Sequence, residues 1–371
     1  MNNVAEIFPP GEFLRDELEA RGWTQTELAE IIDRPVRLIN EIIAGKRAVT
    51  PETAIQLGDS LGTGAEVWMN LESQWQLSKV RSADNLIARR ARLYERFPVR
   101  EMIRRGWIEA SQSIEVLEQQ FLRFFDIPNL EVTPSIDHAA RKTDAEAPPS
   151  NLQLAWLSRA RQVAGELVSR SYDESALLKS LSRLSALRTA PEETRHVARI
   201  LEDCGVRFVI VEPIAGTKID GACIWLANDQ PAVALSLRLD RIDNFWFVLR
   251  HELEHVLKRH GRDRGYVIDQ EIDAATGEQI NEEERAANTA ATDFCVDSAD
   301  ITDFIARVSP FFKEERVLRF AQRLQIHPGL VVGQLQRRLD RYDLFRRHQV
   351  KVRAFVTASA LTDGWGVVHT A

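Results

Sequence analysis

Cysteine is scarce in this 371-residue sequence: Cys204, Cys223 and Cys295 form no CxxC pair. That usage excludes a disulfide framework and fits a reducing cytoplasm. No run approaches the roughly 18 apolar residues that span a bilayer, so no membrane-spanning helix is expected. The opening Met1-Asn2-Asn3-Val4-Ala5-Glu6 lacks the basic and apolar regions of a signal peptide. An excess of positive charge is missing as well, since 48 Lys and Arg stand against 55 Asp and Glu, a formal net charge of −7. Taken over the whole chain, that balance argues against a nucleic-acid partner, so charge has to be read by segment. What is present is globular composition, 44% hydrophobic and 28% charged, with length for two or three domains.

Residues 1–80 predict a run of short helices. Phe13, Leu14 and Leu18 recur at helical spacing and stop at Gly22. Thr24, with Glu27 three residues on, is a capping box that opens a helix over 25–32. Pro35 starts a third helix that Gly45 ends, and Thr50-Pro51-Glu52 opens a fourth that ends at Gly62. A fifth, over 65–77, carries Val67, Trp68, Leu71 and Trp75 on one face. Residues 81–110 hold eight arginines against four acidic residues, net +4, so 81–135 is expected to be a basic helical connector. A long loop or hinge is expected over 127–150 and helices over 151–204. Runs at 206–211, 222–227 and 232–237 then predict a short antiparallel sheet. Helices are expected at 244–259, 282–297 and from 300 to about 355. The fold class expected is mainly α, with a small α+β domain over 136–345 and a C-terminal tail over 346–371.

Charge within the first 80 residues is uneven. Seven basic and 13 acidic residues give −6, yet 34–47 holds Arg34, Arg37, Lys46 and Arg47 against Glu41 alone, net +3. Residues 24–44 read as a capped helix, a tight turn near Asp33-Arg34 and a second helix exposing Arg37, Asn40 and Glu41. A helix-turn-helix places such a second helix in the major groove. Arg and Asn can make bidentate contacts to guanine and adenine edges, while Lys46 and Arg47 follow where phosphate contacts fix register. The expected DNA-binding set is Gln25, Arg34, Arg37, Asn40, Lys46 and Arg47.

The segments Phe8–Leu14, Arg34–Arg47, Thr50–Ala54 and Trp68–Glu72 resemble the Xre-type, HigA-like antitoxin and repressor family. That resemblance covers nearly all of 8–80. It implies a five-helix fold that works as a homodimer on palindromic operators in double-stranded DNA.

A second constellation lies at 245–260, where His251, Glu252 and His255 form HExxH. On a helix, positions i and i+4 share a face, so two imidazoles can converge on one Zn2+ beside Glu252. Glu252 can then take a proton from water and deliver it to a leaving amine. Phe245, Phe247, Val248 and Leu249 are expected to bury the start of this helix. Glu254 stands where zinc-protease helices usually place a small or apolar residue.

The HExxH helix, Glu284–Asn288 and the segments Gly216–Gly221, Leu237–Trp246 and Ile326–Leu335 resemble the ImmA/IrrE metallopeptidase family, from about residue 140 to 340. The resemblance implies a zincin-like domain in which Glu284 is the third zinc ligand and Asn288 orients a ligand imidazole. Glu282 and Glu283 compete with Glu284 if the helix phase differs. The strand at 232–237 is expected beside the cleft, as an exposed edge that binds substrate backbone. Tyr266, His260 and His327 are candidate electrophilic helpers, each with a structural role as the simpler alternative, and Cys295 reads as a core thiol.

Two functions follow. One is a DNA-binding regulator with a zinc-dependent endopeptidase that cleaves a regulatory protein. The alternative is a HigA-like antitoxin or autorepressor whose metallopeptidase-like region senses or binds a partner, such as a cognate toxin, without cutting it. Intact His251, Glu252, His255 and Glu284 favour the enzyme, because a binding module needs no general base.

Overall fold

The computed structural model describes residues 8–80, 86–132, 134, 149–227, 229–262, 266–270 and 282–367. The chain divides into two compact units, Met1–Arg89 and Arg90–Ala371. Among the described residues, no helix is long and apolar enough to cross a membrane.

In the first unit, α1 (Pro10–Arg21), α2 (Gln25–Ile31), α3 (Val36–Ile43), α4 (Pro51–Leu61) and α5 (Ala65–Val80) follow the expected order. The capping box is present, because Thr24 accepts from the Glu27 backbone and the Glu27 carboxylate accepts from Thr24 N–H at 2.7 Å. Thr50 caps α4, whose first position is Pro51. The helices close over Leu14, Leu18, Leu28, Ile39, Ile42, Leu57 and Trp68, all buried. Burial of such side chains contributes about 1.5–3 kcal/mol each, which offsets the poor stability of helices this short in isolation.

The second unit is built on a five-stranded sheet. Its strands are β1 (Arg207–Val211), β2 (Ile219–Trp225), β3 (Pro231–Leu235), β4 (Tyr266–Gln270) and β5 (Leu361–Asp363), in the order β4-β2-β3-β1-β5. The sheet is mixed, which corrects the expected antiparallel one: β2 pairs antiparallel with β3 and β4, whereas β1 runs parallel to β3 and β5. Consequently β3, expected as an exposed edge, lies between β2 and β1. Both faces of the sheet are covered, so its strands are continuous apolar runs. Alternate residues face opposite ways: Phe208, Ile210, Cys223, Trp225, Val233 and Leu235 serve one core. Val209, Val211, Ala222, Ile224, Ala232 and Ala234 serve the other.

The first core is closed by α10 (Glu174–Ala186), α11 (Val197–Glu202), α12 (Ile242–Lys258), α13 (Glu282–Cys295), α14 (Ser298–Val308), α15 (Glu314–Leu324), α16 (Pro328–Leu339) and α17 (Arg353–Val356). The opposite face is covered by α6 (Leu86–Arg96), α7 (Val99–Arg104), α8 (Ile114–Phe125) and α9 (Asn151–Glu166). The stretch expected as a connector is therefore core material from Leu93 onward: Leu93, Phe97, Met102 and Phe121 are buried with the sheet. Arginines dominate its composition, but its apolar spacing decides its place. Most of the hinge expected over 127–150 lies outside the described residues.

The C-terminal segment is also no tail. Strand β5 extends the sheet beside β1, and Asp363 accepts from Trp107 Nε1 at 2.8 Å and from Arg159 Nε at 3.0 Å, all three buried.

Candidate metal centre and helix-turn-helix face

Helix α12 is buried along nearly its whole length, packed on β2, β3 and α13. Its apolar start, Phe245 to Leu249, anchors it, so His251 and His255 emerge one turn apart with no exposed surface. Their Nε2 atoms are 3.0 Å apart. Glu284, from the first turn of α13, completes a triangle: Oε2 lies 3.3 Å from His251 Nε2 and Oε1 3.4 Å from His255 Nε2. A tetrahedral ion about 2.0–2.1 Å from each donor holds neighbouring donors about 3.3 Å apart. The three side chains thus fit a zinc-sized cation in both donor chemistry and spacing. Among the described residues, this is the group of three His, Cys, Asp or Glu side chains that meets within metal-holding distance.

Glu252 is fully buried, and its carboxylate sits against the backbone of β2: a Cβ on Gly221 would meet Glu252 Oε1 at 2.3 Å. Glycine at that position makes the cradle in which the carboxylate lies. Glu254, the unusual residue of the motif, turns to Arg250 one turn back, with Nη2 to Oε2 at 2.7 Å and both side chains 11% exposed. It is neither on the imidazole face nor in solvent.

Among the competitors for the third donor, Glu284 meets the imidazoles, whereas Glu282 is exposed. Asn288, one turn beyond, has a buried Oδ1 without a hydrogen-bond partner. His260 meets one of the two imidazoles, its Nδ1 lying 3.0 Å from His255 Nδ1. His327 instead caps α16, its Nδ1 accepting from Gly329 N–H at 3.1 Å, and Tyr266 begins β4. Cys295 is buried among core side chains, and burial pushes its thiol up to about 12, the state of an inert core residue.

In the first unit, the turn between α2 and α3 contains Asp33 at φ 50°. Helix α3 buries Ile39 and Ile42, which leaves Arg37 and Asn40 exposed. Arg34, Lys46 and Arg47 are exposed beside them, while Gln25, at the first position of α2, is half-buried. Glu41 bridges two of the cations: Arg37 Nε donates to it at 2.8 Å and Arg47 Nη1 at 3.1 Å. Those two guanidinium groups, Arg37 first, hold the Glu41 carboxyl below its usual range. Arg34 Nε donates to Gln56 Oε1 at 2.9 Å, tying the turn to α4.

A helix-turn-helix family model matches residues 14–68. The uncharacterized HTH-type transcriptional regulator YddM of Escherichia coli (strain K12) is 29% identical over 70 residues, 19% of this chain and 74% of that protein. Virulence-associated protein I of Dichelobacter nodosus is 35% identical over 76 residues, 20% of this chain and 70% of that protein. Among solved structures, the Pseudomonas aeruginosa antitoxin HigA with higBA promoter is 33% identical, covering 20% of this chain and 82% of that chain at a TM-score of 0.20. With more than two-thirds of a relative matched at 35% identity, this chain belongs to the helix-turn-helix family, through residues 14–68 of its N-terminal unit.

Proposed function

We propose that this chain is a DNA-binding transcriptional regulator whose second unit is a zinc-dependent endopeptidase acting on a regulatory protein. The observation that carries the enzymatic half is the convergence of His251, His255 and Glu284 beside a buried Glu252. His251 Nε2, His255 Nε2 and one Glu284 oxygen would hold the ion. When bound, zinc supplies Lewis acidity towards a scissile carbonyl and makes water more acidic. Glu252, fixed against Gly221, takes the proton of the attacking water and passes it to the nitrogen that leaves as the C–N bond breaks. The DNA-binding half is supported by the family match over 14–68 and by the exposed Arg37, Asn40, Lys46 and Arg47 at and after α3.

Purified protein is expected to carry about one zinc per chain, lost on His251→Ala. Glu252→Gln is expected to keep the zinc and abolish cleavage of a co-encoded regulatory protein. Cleavage at the wild-type rate by Glu252→Gln refutes Glu252 as the base. The complete burial of His251, Glu252 and His255 favours a second reading, a HigA-like antitoxin or autorepressor whose metallopeptidase-like unit binds a partner without cutting it. Zinc binding without cleavage of any co-encoded protein supports that reading.

A further inference from the structure

We propose that His260 is a positioning residue that fixes the tautomer and ring angle of His255, so that the Nε2 lone pair of His255 points at the metal-ligand group. This inference rests on the zinc reading above.

The chain is built to bring His260 back. Helix α12 ends at Lys258, and Arg259 adopts a left-handed φ of 56°. That reversal lets His260 N–H donate to the His255 carbonyl at 2.9 Å, a helix-end bond that folds the next side chain over the last turn. The two imidazoles then meet with ring centroids 5.1 Å apart and their Nδ1 atoms at 3.0 Å. Two further contacts pin the backbone of the reversal. Trp225 Nε1, from β2, donates to the His260 carbonyl at 2.9 Å. Gly261, at φ 70°, lies so close to β4 that a Cβ would stand 2.6 Å from the Tyr266 carbonyl oxygen. The backbone that carries the His260 imidazole is thus held by the helix end and by two strands.

A neutral imidazole has one N–H and one lone pair. His255 turns Nε2 towards His251 Nε2 and Glu284 Oε1. If Nε2 gives its lone pair to a cation, the proton must sit on Nδ1, which then donates to His260 Nδ1. His260 in turn carries its own proton on Nε2. One hydrogen bond therefore sets both tautomers. Because His255 is fully buried, loss of this acceptor removes a hydrogen bond that favours one tautomer and one ring angle over the others. Partners of this kind typically change metal affinity 10- to 100-fold.

The test is zinc affinity measured by competition with a chromophoric chelator, on the full chain, for wild type, His260→Ala and His260→Asn. The Asn carbonyl can take the place of Nδ1 as acceptor. Affinity is expected to fall about 10- to 100-fold in His260→Ala and to recover towards wild type in His260→Asn. The visible spectrum of the cobalt-loaded protein is expected to shift in His260→Ala and to return in His260→Asn. Should His260→Ala not fold, His260→Leu against His260→Asn reads the same difference. Equal affinity and equal cobalt spectra in wild type and variants overturn the inference alone. A wild type that takes up no zinc overturns the zinc reading, and the inference with it.

Discussion

A methyl group on Gly221 would lie 2.3 Å from Glu252 Oε1 and 2.8 Å from Val248 Cγ1. Strand β2 therefore approaches α12 as closely as glycine permits, and the carboxylate takes the room a side chain would have used. Gly221→Ala must displace either the carboxylate or the strand. Since His251 and His255 form their contacts on another face, zinc content is expected to be retained. Cleavage is expected to fall about 100-fold, the usual effect of moving a reacting group by an ångström, with a stability loss of about 1–3 kcal/mol from overpacking. Zinc analysis beside a cleavage assay checks this; wild-type turnover in Gly221→Ala would mean that Glu252 does not act from this position.

Asp363 anchors the C-terminal strand. Its oxygens take the indole of Trp107 and the guanidinium of Arg159 in a buried setting. Removing one partner of a buried pair leaves the other charge in the core, which costs about 3–5 kcal/mol. Asp363→Ala is expected to lower the urea midpoint accordingly. A change below about 1 kcal/mol would show that β5 is a passive addition to the sheet.

Some of this was readable in advance. Thr24 and Glu27 announce a helix start by residue type and spacing alone, and so do His251 and His255 for two donors on one helix face. Strand order was not readable: strands buried on both faces lose the alternation that marks direction and edge, so nothing in 232–237 shows that β3 sits between β2 and β1. Three residues, Leu361 to Asp363, are too few for any periodic pattern. The pairing of Glu254 with Arg250 follows i,i+4 spacing, which the sequence displays. The place of His260 depends on a left-handed Arg259, a conformation that no feature of an arginine predicts.

The cap of α16 makes a prediction about pH. Burial, followed by the nearby His348, holds the His327 imidazole below its ordinary value of 6.5, while Nδ1 accepts from Gly329 N–H. An imidazole with a lowered native pKa binds protons more readily in the unfolded chain. Its contribution is therefore intact above about pH 6.5 and is lost as pH falls from there towards the native value. Denaturant stability is expected to decline across that window, and His327→Asn, which keeps an acceptor but does not titrate, is expected to flatten the decline. An unchanged slope in the variant would assign the pH dependence to other groups.

Glu41 sits between Arg37 and Arg47 and draws both guanidinium groups to itself. If α3 reads DNA, the two bonds have different consequences. Arg37→Ala is expected to weaken binding to the protein's own promoter by about 1–3 kcal/mol, roughly 5- to 150-fold, and to relax specificity at one base. Arg15, exposed on α1, lies outside the expected contact set, so Arg15→Ala is expected to change little. Glu41→Gln releases both arginines and removes a negative charge from a phosphate-facing surface. Affinity for unrelated DNA is expected to rise and the salt dependence to steepen by about one phosphate contact. Fluorescence anisotropy at several salt concentrations, with promoter and scrambled duplexes, separates these outcomes. Equal losses for Arg37→Ala and Arg15→Ala would place a different helix in the groove.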